Sequence, residues 1–161
     1  MSVTSVDKDL DNLTLTLIAD LDAPVERVWE LWADPRQLEK WWGPPTHPAT
    51  VEDHDLSPGG RVSYFMTAPD GERYHGWWRI TAATPPTSLE FVDGFADEHG
   101  NPVGDLPEST AHVLLSEHHG GTRMELRSTF ATREQMQSVL DMGVVEGLSS
   151  AVGQMDALLA G

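Results

Sequence analysis

The chain has 161 residues and no cysteine, with 26 acidic against 10 basic side chains and a formal net charge of −16. That length suits one domain, residues 1–161, able to bury a core without staples. The missing thiols exclude a disulfide frame, a thiolate zinc site and a thiol nucleophile. With only two lysines, the charge argues against nucleic acid and anionic membranes as partners, since both require basic surface.

Residues 1–11 are polar and acidic and are expected to be flexible. They do not resemble a signal peptide, and no apolar run approaches the roughly 18 residues of a membrane span, so no membrane insertion and a cytoplasmic location are expected. Leu13 to Leu21 alternates, with Leu13, Leu15 and Leu17 on one side and Thr14 and Thr16 on the other, the pattern of a half-buried strand. The period then changes. Asp22 as N-cap and Pro24 in the first turn predict a helix with Val25, Val28, Trp29 and Trp32 on one face. Asp34-Pro35 interrupts it, because the residue before proline avoids the α region. A second short helix, Arg36 to Trp42, stops at Gly43-Pro44-Pro45. The two helices carry four of the six tryptophans.

Strand follows strand from there: Ala49 to Leu56, Arg61 to Thr67, Arg73 to Ala83, Ser88 to Val92, Ala111 to Glu117 and Thr122 to Phe130. Turn signals such as Ser57-Pro58-Gly59-Gly60, Pro69-Asp70-Gly71, Pro85-Pro86 and His119-Gly120-Gly121 separate most of them. Short turns between consecutive strands make an antiparallel meander, and a seven-stranded sheet must curl to bury its face. The filler of that curl is the last segment, Thr132 to Leu159. It opens with a capping box at Thr132-Arg133-Glu134-Gln135 and carries Met136, Leu140, Val144, Leu148, Ala151, Met155 and Leu159 at helical spacing. One continuous helix about 40 Å long is expected. Within it Gly143, Gly147 and Ala151 form a ridge of small residues, for which close packing on the sheet is the simpler reading and room for a ligand the sharper one. The fold class is therefore α+β: a curved antiparallel sheet wrapped on one long C-terminal helix, with two short helices between strands one and two.

Ala23-Pro24, Val28-Trp29, Pro35, Trp41-Trp42-Gly43-Pro44, Ser57-Pro58-Gly59-Gly60, Pro69-Asp70-Gly71, Gly76, Pro85-Pro86 with Leu89, and Gly121-Thr122 precede the final helix in that order. Together they resemble the START-like (SRPBCC, helix-grip) superfamily, in the branch of the heat-shock-protein ATPase activator homologues, over about Leu13 to Leu159. The resemblance implies a hydrophobic cavity between sheet and long helix. One such fold hosts lipid carriers, hormone receptors, polyketide aromatase/cyclases and chaperone activators, so it does not select among activities.

Alternation turns Val62, Tyr64 and Met66 to one face, with Gly76, Trp78 and Ile80, Leu89 and Phe91, and Met124, Leu126 and Phe130. Trp42 is expected at the cavity mouth, with Trp41 in the core. Trp42, Tyr64, Met66, Trp78, Phe91 and Met124, with Met136, Val144 and Leu148 of the helix, form the candidate ligand-contact set, each also able to serve as core. Gly76 marks either a bulge or a space near the helix. The stretch Asp93 to Thr110, with Asp93, Asp97, Glu98, Asp105 and Glu108, is either a lid or a solvated acidic excursion. The histidines are scattered, with no HExxH, and neither GxSxG nor a phosphate-cradling loop occurs, so no catalytic residues, metal or cofactor are assigned. The leading expectation is a noncatalytic binder of a small hydrophobic molecule, monomeric or homodimeric. A cyclase- or hydrolase-like enzyme and a chaperone-interaction module are the alternatives.

Overall fold

The alternating leucines of the first predicted strand occupy the centre of one sheet end. In the computed structural model, which describes residues 3–104 and 108–160, Thr14–Leu21 forms a strand that buries Leu15, Leu17, Ala19 and Leu21 and exposes none of them. It is β2, because Val3–Asp9 precedes it as β1. The sheet thus has eight strands and not seven, and most of the segment expected to be flexible pairs with β2. Periodicity missed β1 because only Val3 and Val6 interrupt its polar residues. Both valines pack against the core, and the Asp9 carboxylate folds the chain back by accepting the Asp11 and Asn12 backbone N–H groups at 3.1 and 3.0 Å.

Two short helices follow, α1 (Val25–Ala33) and α2 (Pro35–Trp41). Pro24 and not Asp22 caps α1, its carbonyl receiving the Arg27 and Val28 N–H groups. Asp34 closes α1 and opens α2, where its carboxylate accepts the Arg36 N–H at 2.9 Å. The meander runs β3 (Ala49–His54), β4 (Arg61–Thr67), β5 (Arg73–Thr84), β6 (Ser88–Ala96), β7 (Ser109–His118) and β8 (Gly121–Phe130), with spatial order β1-β2-β8-β7-β6-β5-β4-β3 and every neighbour antiparallel. Register shifts in β3 at Val51/Asp53 and in β5 at Ile80/Ala82 interrupt the ladder, and such bulges bend a sheet.

The C-terminal segment is helical but not one helix. Its Thr132 cap forms as expected, accepting the Gln135 N–H at 3.1 Å. The chain then divides into α3 (Arg133–Asp141), α4 (Val144–Gly153) and α5 (Met155–Ala160). Gly143 breaks it with φ 85° and ψ 28°, its N–H closing on Leu140 while its carbonyl starts α4 through Gly147. A left-handed glycine is the usual helix stop, and it removes Gly143 from the expected small-residue ridge. Nor is Gly147 pressed against a neighbour, since a Cβ built there meets nothing within 4 Å.

The C-terminal helices serve two cores, and the change from one to the other falls within α4. Met136 of α3 packs with Leu15 and Phe130, joined by Val144, whereas Ala151, Val152 and Met155 enter the main core with Leu17, Val62, Trp78 and Phe91. α3 contacts β8 and α4 contacts β1, while α2 covers β3 at the opposite end of the sheet. The Gln154 amide donates to the carbonyls of Gly43 (2.7 Å) and Trp41 (3.2 Å), tying the C-terminal helices to the end of α2.

Candidate ligand site on the helix-facing side of the sheet

β4, β5 and β6 position the site through their pairing. Tyr64 stands opposite Gly76, and Gly76 opposite Phe95. Val62 stands opposite Trp78, and Trp78 opposite Asp93. Directly paired residues point to one face, so Tyr64, Trp78, Phe91 and Asp93 all look toward the helices. Gly76 is neither bulge nor empty space: the Tyr64 ring lies where its Cβ would be. The bare backbone lets the tyrosine lie flat across the neighbouring strand.

The rings form one cluster. Trp78 stacks on Phe91 with centroids 4.1 Å apart and planes 18° from parallel. Trp42, at the end of α2, meets Trp78 edge-on at 4.9 Å and Tyr64 at 5.9 Å, geometries an aromatic quadrupole favours. Trp41 is fully buried and bonds its indole N–H to the Leu31 carbonyl at 2.8 Å. The adjacent Trp42 remains half-buried, so the two tryptophans do pack in different directions.

Polar groups converge on this apolar cluster. The Trp32 indole N–H is buried without a hydrogen-bond partner, a cost of about 1–3 kcal/mol, whereas the Trp42 and Trp78 indoles are directed at the Tyr64 hydroxyl without reaching full hydrogen-bond geometry. Burial pushes the Tyr64 hydroxyl up, the nearby Asp93 carboxyl adds to that rise, and the Trp42 and Trp78 indoles oppose it. Asp93 itself is pushed up to about 7 by burial. Its residue keeps some access to solvent although protein surrounds the carboxyl. Sequence reading placed Asp93 at the head of an acidic loop, whereas β6 continues to Ala96. The signal was the period-two run Leu89, Phe91, Asp93, Phe95.

The expected contact set is only partly brought together. Trp42, Tyr64, Trp78 and Phe91 meet, and Met66 lies half-buried toward the rim opposite Tyr74. Met124 is fully buried in the same core on β8, and Leu148 packs against that core. Met136 and Val144 belong to the second cluster, away from the aromatic rings.

Among the described residues two recesses stand out at the surface, and neither is lined by the C-terminal helices. One, of about 580 Å³, sits at the ends of β5 and β6 among Arg73, Tyr74, His75, Phe95, Ala96 and Glu98. Its Phe95 is the cross-strand partner of Gly76, over which the Tyr64 ring lies. The other, of about 470 Å³, lies beside α1 among Trp29, His54, Leu56, Ala83 and Pro85.

The acidic stretch after β6 folds back on the end of that strand, with the Val103 N–H on the Phe95 carbonyl at 3.0 Å. Asp97 and Asn101 close a tight turn, and the Gly100 carbonyl takes the Arg61 guanidinium, which projects from the outer face of β4. Of the lid expectation, the part on Asp105 lies outside the described residues. No helix among the described residues is long and apolar enough to cross a membrane.

Comparison with known proteins agrees with this architecture. The crystal structure of Ms6760 from Mycobacterium smegmatis is 62% identical, covers 98% of this chain and 96% of its own, and superposes with a TM-score of 0.91. A solution structure of an Arthrobacter aurescens protein is 51% identical over 99% of this chain and 92% of its own, with a TM-score of 0.94. DynU16, a protein in the dynemicin biosynthetic locus, shares the fold at 18% identity over 89% of this chain and 47% of its own, with a TM-score of 0.64. None of the curated proteins compared with the chain matches it. The family model for Activator of Hsp90 ATPase homolog 1-like protein matches residues 22–160, and the chain belongs to that family.

Proposed function

We propose that this protein binds a small, mainly apolar molecule on the helix-facing side of β4, β5 and β6. The observation that carries the reading is the 580 Å³ recess at the ends of β5 and β6, whose Phe95 pairs with Gly76, the residue that the Tyr64 ring covers. Ligand sites are typically about 300–1,000 Å³ and combine apolar walls with a few convergent polar groups. Trp42, Tyr64, Met66, Trp78 and Phe91 are the contacts on this reading, with Met124 and Leu148 deeper. Met136 and Val144 serve the second core cluster.

The enzyme alternative gains one specific support, Asp93. A buried carboxyl pushed up to about 7 is suited to give or take a proton near neutrality. The two readings share a site and separate on turnover.

Native mass spectrometry of the gently purified chain tests the binding function. The expected result is an adduct of a few hundred daltons, acquired in the cell or after incubation with apolar compounds. It should be lost in Trp42→Ala, whose unchanged circular dichroism would show an intact fold. A chain that stays free of adducts after incubation with lipids and polycyclic aromatics would overturn the proposal.

A further inference from the structure

We infer that the recess beside α1 is a second binding site and takes a small organic ammonium: its apolar body lies against Trp29 and Leu56, and its N–H groups go to the Asp55 carboxylate and the His54 ring. This site is separate from the aromatic cluster and does not rest on the binding function proposed above.

The acceptors carry the first step. The recess, of about 470 Å³, lies where the C-terminal end of α1, at Ala33, meets the turn after β3 and the end of β5. His54 Nε2 is 2.9 Å from the Trp32 backbone carbonyl. A carbonyl can only accept, so Nε2 donates, and in the neutral ring Nδ1 keeps a lone pair. Among the described residues no group donates to that lone pair. Asp55 accepts the Ser57 hydroxyl and the Ser57 backbone N–H, the latter at 3.0 Å, both through Oδ1. These bonds hold its carboxyl below the usual carboxylate range. Its Oδ2 has no partner among the described residues.

The sign of the charge is the second step. No lysine or arginine is among the residues that line the recess. Nor has α1 a basic side chain in its last turn, and its C-cap, Asp34, is itself acidic. The negative end of the helix dipole is therefore left for a cation from outside the helix. Trp29 adds an aromatic ring, whose face attracts a cation within about 6 Å. A ligand carboxylate would meet Asp55 and the helix end with no lining arginine or lysine to offset it. A neutral alcohol would form the weaker, uncharged hydrogen bonds. Leu56, Pro58, Ala83 and Pro85 complete walls that suit a hydrocarbon or aromatic body.

The test uses ¹⁵N-labelled full-length protein at pH 8, above the ordinary imidazole range. Its six tryptophan indole resonances are assigned by single Trp→Phe replacements, and the His54 Nδ1 resonance is read from long-range imidazole correlations. The probes are phenethylamine, a cation at this pH, and its neutral and anionic counterparts, phenethyl alcohol and hydrocinnamate. At low salt phenethylamine should bind about tenfold tighter than the alcohol. It should move the Trp29 indole and His54 Nδ1 resonances and leave in place Trp77, whose indole bonds Phe95 at the other recess. Asp55→Asn, whose amide oxygen can still accept from Ser57, should lower the affinity for the amine to that for the alcohol. Glu98→Gln, at the other recess, should change neither. Equal affinity for amine and alcohol, tighter binding of hydrocinnamate, or shifts at Trp77 in place of Trp29 and His54 would overturn the site. So would the failure of phenethylamine to bind at about 10 mM.

Discussion

Replacing Asp93 by asparagine separates the electrostatic cost of this site from its packing. In the folded protein the carboxyl is moved from 3.8 to about 7, with burial as the cause. At about 1.36 kcal/mol per decade of acidity constant, that corresponds to a ceiling of about 4 kcal/mol. The sign follows from which state holds the proton. Between 3.8 and about 7 the native state keeps a proton that the unfolded chain has released, so stability falls as pH rises through this window and levels off above it. Asp93→Asn cannot ionise and escapes that fall. Relative to the wild type, the variant should gain about 2.5 kcal/mol between pH 5 and pH 8, whatever constant offset the amide itself introduces. Urea unfolding followed by tryptophan fluorescence at pH 5, 6, 7 and 8 measures the difference directly. Curves for the two proteins that stay parallel across this range would show that Asp93 is hydrated or paired in solution, and the electrostatic account of the site would fail.

Gly76→Ala places a methyl group against the Tyr64 ring and should cost about 1–3 kcal/mol in thermal or urea unfolding. In a double variant with Tyr64→Leu that cost should shrink, and strict additivity would show that the ring is not the obstacle. The C-terminal glycines should respond with opposite signs. Gly143→Ala, forced to φ 85°, should lose about 1 kcal/mol. Gly147→Ala, whose added carbon meets nothing within 4 Å, should gain about 0.5–1 kcal/mol from helix propensity. Destabilisation by both would return Gly147 to a close-packing role.

The strands and turns were legible because their signals are local. Leu15, Leu17, Ala19 and Leu21 alternate at the strand period, and Thr132 bonds Gln135 three residues along. The Ser57-Pro58-Gly59-Gly60 turn closes through the Gly60 N–H on Ser57. Four of the expected contact residues, Trp42, Tyr64, Trp78 and Phe91, meet because alternation fixes the face of a strand residue once its neighbours are known. Asp93 is hidden because a carboxylate amid acidic residues looks like loop even when it falls at the strand period.

The sequence by itself determined the α+β class, the meander, the two short helices and the inward face of most strands, since periodicity, caps and turn residues act over a few positions. Only the tertiary structure decided the rest. Gly143 reads the same in a straight helix as at a left-handed break, and its φ is settled by where α3 and the later turns of α4 find their packing partners. The room beside Gly76 goes to Tyr64 because β4 and β5 pair in that register. The pKa of Asp93 depends on how many protein atoms displace water around it. Burial is a property of neighbours brought from distant parts of the chain, and no local pattern records it.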